Sequence, residues 1–483
     1  MCMKSILGKN IQTFVINMEI FPRLHLFKMA APMKIFRELR RKGFELRHVN
    51  HGPMPITWNV LRRPYREQAV RYARSSSAAA AETEPSVQTR EPVVQPPPVR
   101  TIFRTPVSNP VNHSLEQEAQ FYTIPPDEYK TIFPQDHGIP PRFKKQVETF
   151  TEACIMVRKP SLEVMSYLQQ ANYSHPAIRY VFYGTRGTGK TLCLCHVLHY
   201  CTKQGWVVLF FPKASNWVKN VKEIQPSFHN AERYDQPLEA VSWLKTFKVS
   251  AADSIKELQT QQKYQWSKRE ATEQGRPLLE VVEQGITRPK TATDCVGVVV
   301  KELKDQANQG RIRLLVAVDS VNSLFGRTVV RKPDRSMAYG SELSLIYNLR
   351  KLVRNDWRGG AIVTAVREAA FLGVEGEKVD HRRYTRHEDN PDFYHDIEDH
   401  VSARAETFAP EALLGKEGFE YMDPYVPVLV EKYTEKEMES CLDYYTDRRW
   451  IQNEKCWTEA GRQQLKFLSG YQPSDLERIC GPL

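Results

Sequence analysis

The sequence predicts an α/β fold: a parallel sheet covered by helices, with a small helical subdomain at the C-terminus. Three observations carry this. Short continuous apolar runs recur between helical patterns, "IRYVFYG" (178–184), "WVVLFFP" (206–212), "RLLVAVDS" (313–320) and "GGAIVTAV" (359–366), as expected of strands buried on both faces. The first run enters a glycine-rich turn that opens a helix. Beyond residue 433 the pattern is helical.

The 483 residues, 41% apolar and 26% charged, have ordinary globular composition with room for two or three domains. The net charge of +11 is uneven: residues 1–80 hold 15 Lys+Arg against 4 Asp+Glu, and the remainder holds 53 of each. A formally neutral body gives no independent case for nucleic-acid binding, which would have to use local basic patches. The basic segment is rich in arginine and amphipathic in "MKIFRELRRKGFELRHV" (33–49), so residues 1–74 read as a mitochondrial transit peptide or basic N-terminal extension. Small residues after arginines in "VRYARSSS" (70–77) fit a processing site. A basic RNA-binding arm is the competing reading.

Residues 75–118 read as a disordered Pro/Ala/Ser-rich linker, 119–433 as the α/β domain and 434–483 as the helical subdomain. Nine cysteines, an odd number with no C-x-x-C pair, speak against a disulfide framework or a zinc ribbon. No stretch approaches ~20 uninterrupted apolar residues, so no membrane span is expected.

The helices have readable stripes. After the glycine turn, Leu194, Val197, Leu198 and Cys201 fall at i, i+3, i+4 and i+7, with Gly205 as a stop. The long interval 213–312 reads as inserted helices, among them "LEAVSWLKTF" (238–247) and "DCVGVVVKELKDQA" (294–307). "SELSLIYNLRKLVRND" (341–356) aligns Leu345, Leu349, Leu352 and Val353. Thr434 and Glu437 have capping-box spacing, followed by a Met438, Cys441, Leu442, Tyr445 stripe.

Gly184-Thr185-Arg186-Gly187-Thr188-Gly189-Lys190-Thr191 satisfies G-x-x-x-x-G-K-[ST] between a strand and a helix. Glycines let successive backbone N–H groups turn toward phosphates, Lys190 reaches the β/γ oxygens, the Thr191 hydroxyl ligates Mg²⁺, and the helix adds its positive end. The fold expectation sharpens to a P-loop NTPase of the AAA/STAND-like kind. Asp319, ending an apolar strand, is the candidate acid behind the Mg²⁺, with a helix-cap or turn role as the alternative. Thr364, polar within "GGAIVTAV", is a candidate γ-phosphate sensor or equally a buried, backbone-satisfied threonine. P-loop ATPases of this strand order usually carry a water-orienting glutamate after the strand-end acid, and here Ser320 stands there. The site therefore reads as one that holds nucleotide with slow turnover. A glutamate installed at position 320 is the substitution that would test for a missing base. No N-K-x-D guanine motif occurs, so spacing alone does not choose GTP over ATP. His381, His387, His395 and His400 lack tight ligand spacing and read as a solvated loop rather than a metal site.

In order along residues 119–483, "GTGKTLCLCHVLHYC", "YDQPLEAVSWLKTF", "PLLEVVEQGITR", "LLVAVDSVNSLFGRT", "ELSLIYNLRK", "NLRKLVRNDWRGGAIV" and "LLGKEGFEYMDPYVPVLV" resemble the death-associated protein three family, GTP-binding proteins of the mitochondrial ribosome's small subunit. The resemblance implies a structural ribosomal constituent in the mitochondrial matrix with bound GTP or GDP and Mg²⁺. It also implies small-subunit rRNA and ribosomal proteins as partners, large-subunit proteins at an intersubunit contact, and a link to apoptosis. No obligate homo-oligomer is expected. Onto this chain it carries Gly184 to Thr191 and Asp319. The N-terminal extension and the longer 371–408 stretch depart from the family's pattern. The competing function is an AAA-like ATPase that remodels a protein or nucleic-acid partner; a soluble apoptotic switch would require nucleotide exchange coupled to partner release.

Overall fold

The computed structural model describes residues 103–368 and 408–481. The expected transit peptide and His381, His387, His395 and His400 lie outside the described residues.

An antiparallel pair, β1 (Phe121–Ile124) and β2 (Ala153–Met156), precedes five strands of one parallel sheet. These are β3 (Ile178–Tyr183), β4 (Val207–Phe211), β5 (Leu314–Asp319), β6 (Gly360–Ala365) and β7 (Val426–Leu429), ordered β7-β3-β6-β5-β4. Four of them are the apolar runs legible in the sequence. The fifth, β7, contains Pro427, which cannot donate to a ladder and is tolerated here because β7 is an edge strand. β6 lies between β3 and β5, with Ala365 level with both Phe182 and Asp319. The carboxyl ends of the three strands therefore open on the same edge.

Alternation along the strands sorts the core into two layers. Val181, Leu314, Val316, Val318 and Ile362 face one cluster; Tyr180, Phe182, Leu315, Ala317, Val363 and Ala365 face the other. On the first face pack α4 (Pro237–Ser250), α5 (Leu278–Thr287), α6 (Ala292–Asn308) and α7 (Ser344–Leu352). Trp243 of α4 lies between Phe211 and Phe247, ring centroids 4.9 Å from each, and its indole N–H donates to Phe210 O at 2.9 Å. On the second face pack α2 (Lys159–Gln170) and α3 (Lys190–Lys203), whose Leu194, Val197, Leu198 and Cys201 are fully buried. Each such side chain contributes roughly 1.5–3 kcal/mol. The helix ends beside Gly205, at φ 76°.

α8 (Pro410–Met422) leads to β7, and α9 (Glu435–Asp447), α10 (Glu459–Ser469) and α11 (Pro473–Cys480) follow. The α9 capping box is formed: Glu437 N–H donates to the Thr434 hydroxyl at 3.2 Å and Thr434 N–H to the Glu437 carboxylate at 2.8 Å. Met438, Cys441, Leu442 and Tyr445 join a third core that also takes in Phe103, Phe121, Met156 and Phe150 of α1 (Pro141–Phe150). Phe103 corrects the expectation that the linker stays disordered to residue 118. It is 4% exposed, Arg104 pairs with Glu152, and two 3-10 turns, Pro110–Asn112 and Leu115–Gln117, are capped by Asn109 and Ser114. One aromatic ring with a cavity to fill outweighs the polar composition around it.

All eight cysteines of the described residues are free thiols, seven of them buried. No helix among the described residues is long and apolar enough to cross a membrane.

Candidate nucleotide site

The turn from β3 into α3 places Gly184, Gly187 and Gly189 at φ 132°, 81° and 97°, conformations that side chains disfavour. A Cβ on Gly184 would strike the Val430 carbonyl, and one on Gly187 the Ser474 hydroxyl. Lys190, 9% exposed, donates from Nζ to Gly184 O and Thr185 O, each at 2.7 Å, so the ammonium is held inside the curl of its own loop. Burial lowers its pKa to about 8 against the opposing charges of Glu368 and Asp319. Thr188 braces the loop by donating to Thr185 O at 3.0 Å.

The Thr191 hydroxyl donates to Asp319 Oδ2 at 3.2 Å, joining residues 128 apart in sequence. Asp319 is 3% exposed; burial pushes its carboxyl pKa up, and Arg367, Thr191 and Lys190 oppose that. Its side chain receives a hydroxyl and caps no helix, since Ser320 is the N-cap of the turn that follows. The eight loop residues and Asp319 are thus brought together.

Two other positions fall outside this gathering. Ser320 is fully buried at φ 67°, its hydroxyl has no partner among the described residues, and it does not line the cleft. A glutamate there would enter the core rather than face a phosphate. Thr364 is fully buried and donates to Tyr180 O at 3.2 Å, and it too does not line the cleft.

The cleft is a cavity of about 820 Å³ over the phosphate loop, bounded also by α1, β2, the strand ends and α9–α11. Sequence reading missed Lys213, Arg367 and Glu368, which line it just beyond the ends of β4 and β6. The signal was available: in parallel α/β sheets ligands bind beyond the carboxyl ends of the strands, and a charged residue closes the runs "WVVLFFPK" and "GGAIVTAVRE". Asn322 fixes the second of these ends, its side chain exchanging hydrogen bonds with Arg367 N and O at 3.1 and 2.9 Å. Burial lowers the Lys213 pKa, with Arg367 adding to the effect. Glu477 also lines the cleft; burial raises its pKa to about 7, opposed by Arg142 and Lys145. Arg142, Lys432 and Arg478 stand among the remaining lining residues, so cations outnumber carboxylates around the loop.

The loop is also held by side chains no motif announces, and these line the cleft too. Arg158, 6% exposed, donates to Thr188 O at 2.6 Å, to both Glu437 oxygens at 2.7 and 3.1 Å, and to the carbonyls of Glu431 and Lys432 at 3.0 and 3.3 Å. The Gln472 amide donates to Arg186 O, and Ser474 N–H to Gly187 O at 3.2 Å. Carbonyls of three consecutive loop residues are therefore occupied by Arg158 and the C-terminal bundle, leaving the glycine-rich curl fixed in one shape.

These features define a P-loop-like α/β protein: a glycine-rich turn on an inner strand of a parallel sheet, a buried lysine within it, and a threonine in the first turn of α3 paired with the aspartate that ends β5. The chain belongs to the mitochondrial ribosomal death-associated protein 3 family, whose sequence profile matches residues 155–383 and 393–479. It is similar to small ribosomal subunit protein mS29 of Mus musculus, 48% identical over 384 residues that cover 80% of this chain and 90% of the relative. The Bos taurus protein of the same name is 48% identical over 384 residues, covering 80% and 89%. The Neurospora crassa protein is 22% identical over 197 residues, 41% of each chain.

Proposed function

We propose that this protein is a structural, GTP-binding constituent of the small subunit of the mitochondrial ribosome, holding GTP or GDP with Mg²⁺ and hydrolysing it slowly or not at all. The observation that carries the nucleotide half is the buried Lys190 ammonium beside the Thr191–Asp319 pair. This donor set suits a phosphate with its magnesium ion: loop N–H groups and Lys190 would take phosphate oxygens, the Thr191 hydroxyl would ligate the ion, and Asp319 would orient that hydroxyl. The ion would neutralise charge between the phosphates. The insertion of β6 between the two motif strands supports an AAA/STAND-like assignment within the P-loop class. Thr364 has its hydroxyl engaged on Tyr180 O, which favours the structural role over the sensor. The choice of guanine comes from the family resemblance.

The ribosomal half rests on family membership and on the names of the relatives. Small-subunit rRNA and proteins are the partners, with large-subunit proteins at an intersubunit contact and the matrix as location. The slow-turnover reading is supported by Ser320, buried and off the cleft where ATPases of this strand order carry a glutamate; Glu368 at the neighbouring strand end and Glu477 are the lining acids a hydrolytic reading would use. Tagged protein from gently lysed mitochondria should sediment with small-subunit rRNA at low salt and release guanine nucleotide on denaturation. Migration free of that rRNA would overturn the ribosomal reading. Turnover of ~1 s⁻¹ or more would overturn the holding role.

A further inference from the structure

A hairpin of Arg327–Arg331 and Met337–Tyr339 stands apart from the nucleotide cleft, none of its residues lining it. Its inner face is fixed by burial of Thr328, Val330 and Ala338, the Thr328 hydroxyl donating to Ala338 O at 2.8 Å. Period-two alternation turns Arg327, Val329 and Arg331 outward, and Arg327 and Arg331 are exposed. On the partner strand Tyr339 lies opposite Arg327 and Met337 opposite Arg331. Tyr339 is 42% exposed, with the Arg327 guanidinium 5.8 Å from its ring centroid. The outer face therefore interleaves two guanidiniums with an aromatic ring and a thioether.

The connecting turn adds one cation, Arg335, that is left unpaired among the described residues. Lys332 pairs with Glu342 at 3.0 Å. The turn's only acid, Asp334, accepts from the backbone N–H and hydroxyl of Ser336 at 2.9 and 2.7 Å. Arg335 sits exposed at φ 65°, and neither it nor Arg331 has an ion-pair partner among the described residues. Residues 327–339 hold four cations and one acid in a chain that is formally neutral after residue 80.

We propose that this outer face is an RNA contact: Arg327, Arg331 and Arg335 take backbone phosphates, and Tyr339 stacks an unpaired base. Cations alone would equally suit an acidic protein. The exposed ring set between guanidiniums favours RNA, because unpaired bases stack on aromatic and guanidinium planes while the backbone follows the cations. The proposal rests on the ribosomal reading, which supplies a dense polyanion as neighbour.

Salt dependence tests it. The full-length protein is titrated with a mixed-sequence single-stranded RNA oligonucleotide at several potassium chloride concentrations. Removing three phosphate contacts in Arg327→Gln/Arg331→Gln/Arg335→Gln should flatten the slope of log affinity against log salt by about 2 and weaken binding about tenfold at low salt. Tyr339→Ala should weaken binding roughly five- to a hundredfold with the slope unchanged. All the altered side chains point outward and off the cleft, so nucleotide affinity should stay at the wild-type value, which checks that the variants fold. Unchanged slope and affinity in the triple variant would overturn the inference. In assembled small subunits, ultraviolet irradiation should leave a nucleotide adduct on the hairpin peptide. A hairpin cross-linked only to another protein would give the face to a protein partner and overturn it too. If wild-type protein fails to sediment with the small subunit, the ribosomal reading has failed instead, and the oligonucleotide result still stands separately.

Discussion

Replacing Arg158 with methionine removes a side chain that joins the phosphate loop, the strand-to-helix connection at 431–432 and α9. Arg158 and Glu437 are 6% and 2% exposed, so the Glu437 carboxylate would be left buried with only the Thr434 N–H, 2.8 Å away, to stabilise it. Breaking a buried pair from one side costs roughly 3–5 kcal/mol, whereas replacing both members by apolar residues of similar size is often near neutral. In Arg158→Met/Glu437→Met, the lost Glu437 half of the capping box adds about 1 kcal/mol. The Thr188, Glu431 and Lys432 carbonyls also lose their Arg158 donor in both Arg158 variants, so the double variant should lose about 2–4 kcal/mol, still less than the single variant, and the coupling should exceed ~2 kcal/mol. Urea unfolding of the four proteins measures this cycle. With Thr188 O undonated, nucleotide affinity should drop in both Arg158 variants and stay low in the double, whose stability is partly restored. Additive stabilities, or a single-variant cost below ~1 kcal/mol, would refute the claim that this pair bears on the loop as a buried ion pair.

Lys190→Ala should weaken nucleotide binding roughly ten- to a hundredfold through loss of a charge-assisted hydrogen bond, read by calorimetric titration; an unchanged affinity would remove the lysine from the site. The same lysine sets a pH dependence. With its folded pKa lowered to about 8 by burial, below the unfolded value, the cost of its buried charge is fully present below pH 8 and is relieved as pH rises toward the unfolded pKa. Phosphate favours the charged form, so affinity should be full below pH 8 and fall above it, with proton uptake on binding near pH 8.5 in buffers of different ionisation enthalpy. Proton release, or none, would contradict the assignment. Ser320→Glu should destabilise the protein by about 2 kcal/mol or more without raising turnover, because the position is buried and does not line the cleft; a stable variant with faster hydrolysis would show that the position reaches the phosphates.

How much of this was legible depended on the distance over which each residue's role is decided. The three inner strands and β4 at the edge announce themselves because helices on both faces of the sheet demand continuous apolar runs, and the α9 capping box because its two partners are three residues apart. β7 was hidden by Pro427 and by its four-residue length. Nothing local distinguishes such a segment from a loop until an edge position on the sheet excuses the proline. Phe103 was hidden in the same way: its neighbours are polar, and only the cavity between α9 and β1 gives it a place.

The nucleotide site divides along the same line. Gly184 to Thr191 act through their own backbone, so spacing alone exposes them, and Asp319 is exposed by standing where a buried strand must end. Lys213, Arg367 and Glu368 follow from the same strand-end logic once the strands are aligned at a common edge. Arg158, Gln472 and Ser474 do not, because their partners lie about 30 to 290 residues away and consist mostly of backbone carbonyls, which carry no sequence signature. Yet these residues decide whether the glycine curl keeps its shape. Three left-handed glycines give the loop many alternatives in isolation, and hydrogen bonds from Arg158, Gln472 and Ser474 to the carbonyls of residues 186, 187 and 188 remove them. The C-terminal bundle is therefore part of the phosphate site although it contributes no motif residue. A truncation before α9 should accordingly abolish nucleotide binding even with Gly184 to Thr191 and Asp319 intact, and retained micromolar binding by such a truncated, folded protein would show that the loop holds its shape unaided.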